Sequence, residues 1–194
     1  MSRSDTSRPD GFFAKHFLIA TPAMEDPRFS GTVIYLCVHD AEHAMGIIIN
    51  KPKPDLRLSQ MLPHLDIKGD ITGKDTQILY GGPVETERGF VLHSRDFIDD
   101  NNSLPLSDTM ALTAHKSVLN ALVRAHAPQK AVLALGYAGW HAGQLEEEIQ
   151  ANAWLITPAD EDLIFATPSG DIRKMALLNM GITPEFLSMQ AGHA

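Results

Sequence analysis

The chain has 194 residues, of which 44% are hydrophobic and 21% are charged, a composition typical of an ordinary globular domain. A chain of this length buries enough apolar surface to fold without a disulfide or a structural metal. Acidic residues outnumber basic ones by 24 to 16, and the formal net charge is −8. Because proteins bind nucleic acids and anionic membranes through lysine and arginine, this charge argues against direct contact with either.

The cysteine content and the N-terminus indicate the cellular compartment. The single cysteine, Cys37, has no partner for an internal disulfide, which is typical of a reducing compartment. Residues 1–11 are polar and charged and lack the apolar core of a signal peptide. No segment approaches the ~20 apolar residues that a membrane-spanning helix requires. We therefore expect a cytoplasmic protein that begins with a flexible tail over residues 1–11.

The first part of the chain is rich in strand-like segments. Residues 17–20 form an apolar core element, and residues 32–39 are β-branched and aromatic, which predicts a strand. A turn at 40–43 leads to a second strand at 45–50, so the two strands are expected to form a hairpin. The second strand is apolar throughout, which predicts burial on both faces. The two prolines within residues 51–54 are expected to break the chain.

Short elements and a long polar loop follow. Leucine and methionine residues at helical spacing predict a short helix over 58–65. Strands are predicted at 77–80, 89–93 and 110–113. The loop at 95–108 is rich in aspartate and asparagine and contains no apolar periodicity.

The last part of the chain alternates helices and strands. Helices are predicted at 115–126, 143–154 and 172–179, and strands at 131–136 and 163–166. Gly181 is expected to terminate the last helix. Strands come first and helices alternate with strands later, an order that favours an α+β fold over a doubly wound sheet. We expect one domain over residues 12–194, with loop 95–108 as the favoured position for a seam between two lobes.

An ordered set of short motifs indicates a family. The motifs are FLIATP at 17–22, DPRF at 26–29, GIIINKP at 46–52, YGGPV at 80–84, GFVLH at 89–93, LGYAGW at 135–140, AGQLE at 142–146 and NAW at 152–154. Together they resemble the AlgH/YqgE family of bacterial proteins over about residues 15–190. The resemblance implies a mixed, largely antiparallel sheet with a barrel-like region and flanking helices. Members are often labelled as candidate transcriptional regulators, and no catalytic residue or cofactor is carried over.

The glycine-rich segment 136–144 is the main candidate for ligand binding. It lies between a predicted buried strand and a predicted helix, where backbone N–H groups can face an anion. Its spacing matches neither the dinucleotide fingerprint nor the P-loop, and the glutamates at 146–148 would repel a phosphate. The alternative is that these glycines allow close packing of the helix on the sheet. The candidate residues here are Tyr137, Gly139, Trp140 and Gln144.

Two further places are candidates for the wall of a pocket. Gly82 lies in the triplet at 81–83, which either shapes a pocket floor or forms a turn or bulge at a strand end. Asn50 and Lys51 come at the end of a buried strand. Lys51 either reaches a pocket or marks the exit of the chain to solvent.

The chain lacks a recognisable catalytic or metal-binding pattern. Cys37 and His39 are expected on one face of a strand, where a cysteine and a histidine can form a nucleophile and its base. Their Cα atoms would be about 6.5 Å apart with the side chains roughly parallel, a poor arrangement for a direct hydrogen bond. The nine histidines are scattered, and His39 and His43 would together chelate a metal only weakly. No Gly-x-Ser-x-Gly sequence is present. We therefore predict no catalytic residue, no metal and no cofactor.

Two functions remain open. The first is an indirect transcriptional regulator that acts through an unidentified protein partner or a small ligand, without binding DNA. The second is an enzyme acting on a small metabolite in a pocket near Tyr137, Trp140 and Gln144. Direct DNA binding is the least favoured function, because the helix at 115–126 carries only Lys116 and Arg124 as fixed positive charges. The sequence does not determine the oligomeric state.

Overall fold

The computed structural model describes residues 12–71, 75–124, 127–183 and 187. The strands are β1 (His16–Ala20), β2 (Val33–His39), β3 (His43–Ile48), β4 (Pro52–Arg57), β5 (Gln77–Tyr80), β6 (Val84–Ser94), β7 (Ser103–Pro105), β8 (Met110–Thr113), β9 (Ala131–His141) and β10 (Trp154–Pro158). The helices are α1 (Leu58–Met61), α2 (Ser117–Arg124), α3 (Gln144–Gln150), α4 (Glu161–Phe165) and α5 (Ile172–Asn179). Single 3-10 turns occur at Pro27–Phe29 and Pro63–Leu65.

All ten strands belong to one sheet that is centred on β9. The strand order is β10-β1-β2-β3-β9-β6-β8-β7, while β5 also pairs with β9 and β4 pairs with β5. The β5–β9 pair is parallel, and the other pairs are antiparallel. The sheet curls into a half-barrel, so the predicted α+β fold is confirmed.

The hydrophobic core occupies both faces of this curled sheet. The largest cluster takes residues from β1, β2 and β3 on one side and from β5, β6, β8 and β9 on the other, and α4 and α5 close it. Because both halves of the sheet contribute one face to this cluster, it fills the inside of the curl. On the outside, α3 covers β1, β2 and β3, while α1 and α2 cover β5 and β6.

Several predicted elements are confirmed. The β2–β3 hairpin forms, and β5, β8 and α5 have the predicted bounds. Gly181 follows α5 with a φ of 75°. Its N–H bonds the carbonyl of Leu178 at 2.9 Å, and the N–H of Ile182 bonds that of Leu177 at 2.9 Å, the pair of bonds that ends a helix at a left-handed residue.

Other predicted elements are wrong for identifiable reasons. Residues 163–165 belong to α4 and Ala166 follows its end, so no strand forms there, because the Asp160 side chain accepts the N–H of Asp162 and caps a helix. The helix predicted at 143–154 ends at Gln150, and Trp154 begins β10, which pairs with β1. In the helix predicted at 115–126, residues 125 and 126 lie outside the described residues, as does the predicted tail at 1–11.

The prolines near residue 52 do not break the sheet, contrary to expectation. Pro52 and Pro54 lie in β4, which pairs only with β5 among the described strands. An edge strand tolerates proline because one of its edges needs no N–H donors. The polar loop at 95–108 likewise contains a short strand, β7, at the other end of the sheet.

Candidate functional site

Strand β9 changes partners in its middle, and this change creates the site. Along one edge of β9, β6 pairs with residues 131–135 and with Tyr137; along the other edge, β5 pairs with residues 134–135 and β3 with residues 138–141. Gly136 lies between the two stretches with a φ of 77°, and a Cβ atom there would collide with the carbonyl oxygen of Gly82. The strand predicted to end at Gly136 therefore continues to His141, and the predicted strand-to-helix turn is reduced to Ala142 and Gly143.

A cleft of about 570 Å³ opens beside this junction, a size within the range of small-molecule sites. Its walls come from β2, β3, β6 and β9. The lining residues are Val38, His43, Ala44, Met45, Val84, Glu85, Arg88, Phe90, Tyr137, Gly139 and Trp140. The lining is therefore largely apolar, with one imidazole, one carboxylate and one guanidinium.

A bulge in β6 gives the cleft its depth. Val84 pairs with Tyr137 and Gly89 pairs with Leu135, so β6 advances by five residues (84 to 89) while β9 advances by two (137 to 135). β6 therefore has three more residues than β9 in this stretch, and its residues 85–88 are exposed and have no register partner on β9. Such a bulge bends a strand away from its neighbour, and here it leaves a gap above the aromatic floor.

Aromatic rings form the floor, and a charged pair lies above it. The rings of Phe90 and Tyr137 meet edge to face with centroids 5.5 Å apart. The Arg88 guanidinium lies 5.3 Å from the centre of the Phe90 ring, and its Nη1 is 3.0 Å from the Glu85 carboxylate. Both charged side chains are about half exposed, 54% and 47%, and ion pairs at such sites contribute little stability. The guanidinium can therefore exchange Glu85 for an anionic group of a ligand.

His43 supplies the imidazole at the rim. Its Nδ1 lies 3.1 Å from Oδ1 of Asp40. The same carboxylate accepts the backbone N–H groups of Glu42 and His43 at 2.9 and 3.0 Å. These backbone hydrogen bonds lower the pKa of Asp40, so the carboxylate stays ionised and available to orient the imidazole.

The structure brings three of the predicted ligand residues to the cleft and places four elsewhere. Tyr137, Gly139 and Trp140 line it. Gly82 packs against the backbone of Tyr137. The Asn50 side chain accepts a hydrogen bond from the N–H of Val33 at 2.7 Å and donates one to the carbonyl of Gly31 at 2.9 Å. Of the remaining two, Lys51 accepts the N–H of Tyr80 at 2.7 Å through its carbonyl oxygen, and Gln144 contacts Glu148.

Glu148 organises an aromatic cluster behind the cleft. Its carboxylate accepts the indole N–H of Trp140 at 2.9 Å, the indole N–H of Trp154 at 2.8 Å and the Gln144 amide at 3.0 Å. Phe29 stacks on Trp140 with centroids 6.4 Å apart. Of the glutamates at 146–148, Glu148 is therefore half-buried and holds both tryptophans of the chain.

The predicted common face of Cys37 and His39 does not exist. The register of β2 shifts between Leu36 and Val38, and Cys37 enters the inner cluster while His39 contacts Glu146 of α3 at 2.8 Å. Burial raises the pKa of the Cys37 thiol, which keeps it protonated and unreactive. This register shift in β2 could not be predicted from the residue types, because the alternation of a regular strand places residues 37 and 39 on a common face.

A buried polar chain that sequence analysis missed lies between β6, β7 and β8. His93 Nδ1 is 2.9 Å from the carbonyl oxygen of Ser94, and its Nε2 is 2.8 Å from the Thr113 hydroxyl. The Ser103 hydroxyl lies 2.6 Å from that of Thr113. Since a carbonyl only accepts, Nδ1 carries the proton and Nε2 accepts from Thr113 in the neutral ring. Burial lowers the pKa of His93, which favours this neutral form.

The described residues contain neither a group of side chains that could hold a metal ion nor a membrane-spanning helix. In 12–71, 75–124, 127–183 and 187, no three histidine, cysteine, aspartate or glutamate side chains are grouped so that they could hold a metal ion. None of the helices in these ranges is long and apolar enough to cross a bilayer.

The fold and the cleft together define a small α+β half-barrel protein with an open apolar cleft. A family model described as AlgH-like matches residues 17–185. The chain therefore belongs to the AlgH-like family, as the motifs of the sequence indicated.

Known proteins resemble the chain over nearly its full length. A UPF0301 protein of Beijerinckia indica is 47% identical and covers 100% of this chain and 98% of its own. A UPF0301 protein of Methylobacterium nodulans is 52% identical and covers 91% of this chain and 88% of its own. The solution structure of the AlgH protein from Pseudomonas aeruginosa matches with a TM-score of 0.79 and 39% identity, over 98% of this chain and 100% of that one. A crystal structure from Corynebacterium diphtheriae, at 21% identity, shares the fold with a TM-score of 0.68 over 96% of this chain and 93% of that one.

Proposed function

We propose that the protein acts by binding, and that the cleft between β3, β6 and β9 takes the apolar part of a small ligand or of a protein partner. The observation that carries this proposal is an open cleft with an aromatic floor and no serine, threonine or cysteine among its lining residues. Apolar clefts with a few polar groups are the usual form of a ligand site. The cleft therefore favours recognition over covalent chemistry.

In this proposal any effect on transcription is indirect and takes place in the cytoplasm. The net charge of −8 disfavours direct contact with DNA. Helix α2 is too short and too weakly basic to enter a DNA groove, because it carries only Arg124 as a fixed positive charge. The protein would regulate by changing its binding partner when the cleft is occupied.

The predicted ligand residues divide into three groups under this proposal. Tyr137, Gly139 and Trp140 contact the ligand directly. Gly82 and Gln144 support those contacts, Gly82 by packing against Tyr137 and Gln144 by holding the Glu148 carboxylate that fixes Trp140. Asn50 and Lys51 would act at a distance, by holding the strand ends next to Gly31 and Tyr80.

An enzyme acting on a small metabolite is the second candidate, and one observation favours it. The His43–Asp40 pair at the rim has the form of a general base held by a carboxylate. Such an enzyme would abstract a proton from a substrate lying on Tyr137 near Trp140 and Gln144. Product analysis with any compound that binds the cleft separates this candidate from simple recognition.

A ligand screen with two matched variants tests the proposal. Val84 and Leu104 are both exposed, at 36% and 44%, but Val84 lines the cleft and Leu104 lies on β7, away from it. A compound at 100 times its Kd should stabilise the protein by about 2.7 kcal/mol. We expect a thermal shift with at least one cytosolic metabolite that Val84→Lys abolishes and Leu104→Lys preserves. If both variants abolish the thermal shift, or if both preserve it, the cleft is excluded as the site.

A further inference from the structure

We propose that the partner of the cleft is an extended polypeptide segment, which adds as a strand to the free edge of β9 at residues 138–141. This inference rests on the proposed function, since it uses the same cleft, and it specifies the chemical class of the partner. The geometry of β9 supports it independently of the apolar lining.

One edge of β9 has no partner strand where it borders the cleft. On one side, residues 138–141 pair with β3, from Gly46 opposite Ala138 to His43 opposite His141. On the other side, the pairing with β6 ends at Tyr137 opposite Val84. Among the strands that the structure describes, none continues along this second edge beyond Tyr137. The bulge at 85–88 carries β6 away from the position that a continuing strand would occupy.

The backbone groups of Gly139 point to this free edge. The N–H of His141 is donated to Oε1 of Gln144 at 3.3 Å, and therefore not to β3. Along a strand the N–H and C=O groups of successive residues alternate between the two edges. Gly139, two residues before His141, therefore presents its N–H and C=O to the same free edge. Its backbone is exposed and lines the cleft.

A free edge beside an apolar cleft is the combination that recognises an extended peptide. Natural proteins normally protect sheet edges from pairing by charges, prolines or bulges. In strand addition, backbone hydrogen bonds supply affinity and pockets for alternate side chains supply specificity. Here Gly139 has no side chain to obstruct an incoming strand, and the Phe90–Tyr137 floor lies next to it.

The charge around the edge distinguishes this partner from a second copy of the chain. The bulge carries Glu85 and Glu87 beside a single arginine, Arg88, and the whole chain has a net charge of −8. Two copies joined at this edge would bring two acidic bulges together and repel each other. The complementary partner is a segment with apolar residues at alternate positions and a basic residue at the end that meets the bulge.

Peptide selection tests this inference. The pure protein is offered a displayed library of random peptides of about ten residues, the upper length of an ordinary strand. The tightest peptide is then synthesised twice, once unmodified and once N-methylated at alternate residues on the edge that would pair with β9. We expect the unmodified peptide to bind wild type and Leu104→Lys, to fail with Val84→Lys, and to lose about tenfold or more in affinity on methylation, equivalent to 1.4 kcal/mol or more.

The other outcomes overturn the inference and separate it from the proposed function. Equal binding of both peptides, still abolished by Val84→Lys, would reject strand addition but keep the cleft as a site. If no selected peptide is sensitive to Val84→Lys while a metabolite is, the partner is a small ligand. If Val84→Lys weakens the binding of neither the peptides nor the metabolites, both proposals fail. A dimer in sedimentation that Val84→Lys dissociates would assign the edge to a second copy.

Discussion

At the residue scale, one carboxylate stabilises the wall behind the cleft. Replacing Glu148 by alanine leaves the indole N–H groups of Trp140 and Trp154 without their acceptor, and unsatisfied buried donors cost about 1–3 kcal/mol each. We expect Glu148→Ala to lower the free energy of unfolding by about 2 kcal/mol or more. Because these are the two tryptophans of the chain, their emission should shift to longer wavelength as water reaches them.

Glu147→Ala is the control for this prediction, since Glu147 is the exposed neighbour on the same helix. It should leave both the urea midpoint and the emission maximum near those of wild type. Equal effects of the two substitutions would show that helix α3, rather than the carboxylate of Glu148, determines the result.

His93 gives a pH dependence whose direction follows from its burial. Its pKa in the folded state is below the ordinary 6.5, so the unfolded chain binds the proton more readily. The stability that neutral His93 contributes is therefore complete above pH 6.5 and is lost as the pH falls through that value. We expect His93→Gln to be less stable than wild type at about pH 7.5 and to lose less stability between there and about pH 5.5. Urea midpoints at both pH values measure this, and parallel losses in the two proteins would contradict it.

At the element scale, Gly136 is the position that lets β9 change partners. Gly136→Ala meets two penalties: a left-handed φ of 77° and a collision with the Gly82 carbonyl. Gly143→Ala meets only the first, since its φ is 78° and nothing lies within 4 Å of the added Cβ. A non-glycine residue in this conformation costs roughly 1–2 kcal/mol.

We therefore expect Gly143→Ala to lose about 1 kcal/mol in the free energy of unfolding and Gly136→Ala to lose at least twice that. Chemical denaturation of both variants gives the comparison. Equal losses would mean that a Cβ atom at residue 136 does not collide with the Gly82 carbonyl.

The predicted elements were correct where one local signal dominated. β5 and β8 are short apolar runs, and α5 has a helical period with a glycine at its end, so pattern and tertiary structure agree. The errors occurred where position in the sheet overrides composition. Prolines are tolerated in β4 because it is an edge strand. The glycines at 136 and 139 indicate a turn when read in isolation, but they lie within β9, which continues through them.

The candidate site was predictable only in part, for a similar reason. Tyr137, Gly139 and Trp140 are adjacent in the chain, so a single motif reveals them. His43, Val84 and Arg88 join them through the pairing of β9 with β3 and β6 and through the bulge of β6. Neither the pairing nor the bulge leaves a signal in one sequence, because both depend on contacts between distant segments.

At the scale of the whole molecule, the continuity of the sheet bears on the number of folding units. That residues 12–194 form one domain remains a prediction, and so does a seam near 95–108. The inner core cluster takes residues from both halves of the sheet and from α4 and α5, so we expect the protein to unfold in one step. Coincident urea transitions by tryptophan fluorescence and by far-UV circular dichroism would support a single unit. Two separated transitions would place a boundary between lobes.

The cleft beside β9 is the proposed binding site of this protein. The most direct measurement follows backbone amide resonances as the tightest metabolite or peptide from the screens is added. We predict the largest shifts at Met45, Val84 and Gly139, which line the cleft from three strands. The largest shifts around Ser94 and Lys130, which line a second pocket beside the end of β6, with the cleft resonances unchanged, would exclude the cleft as the site.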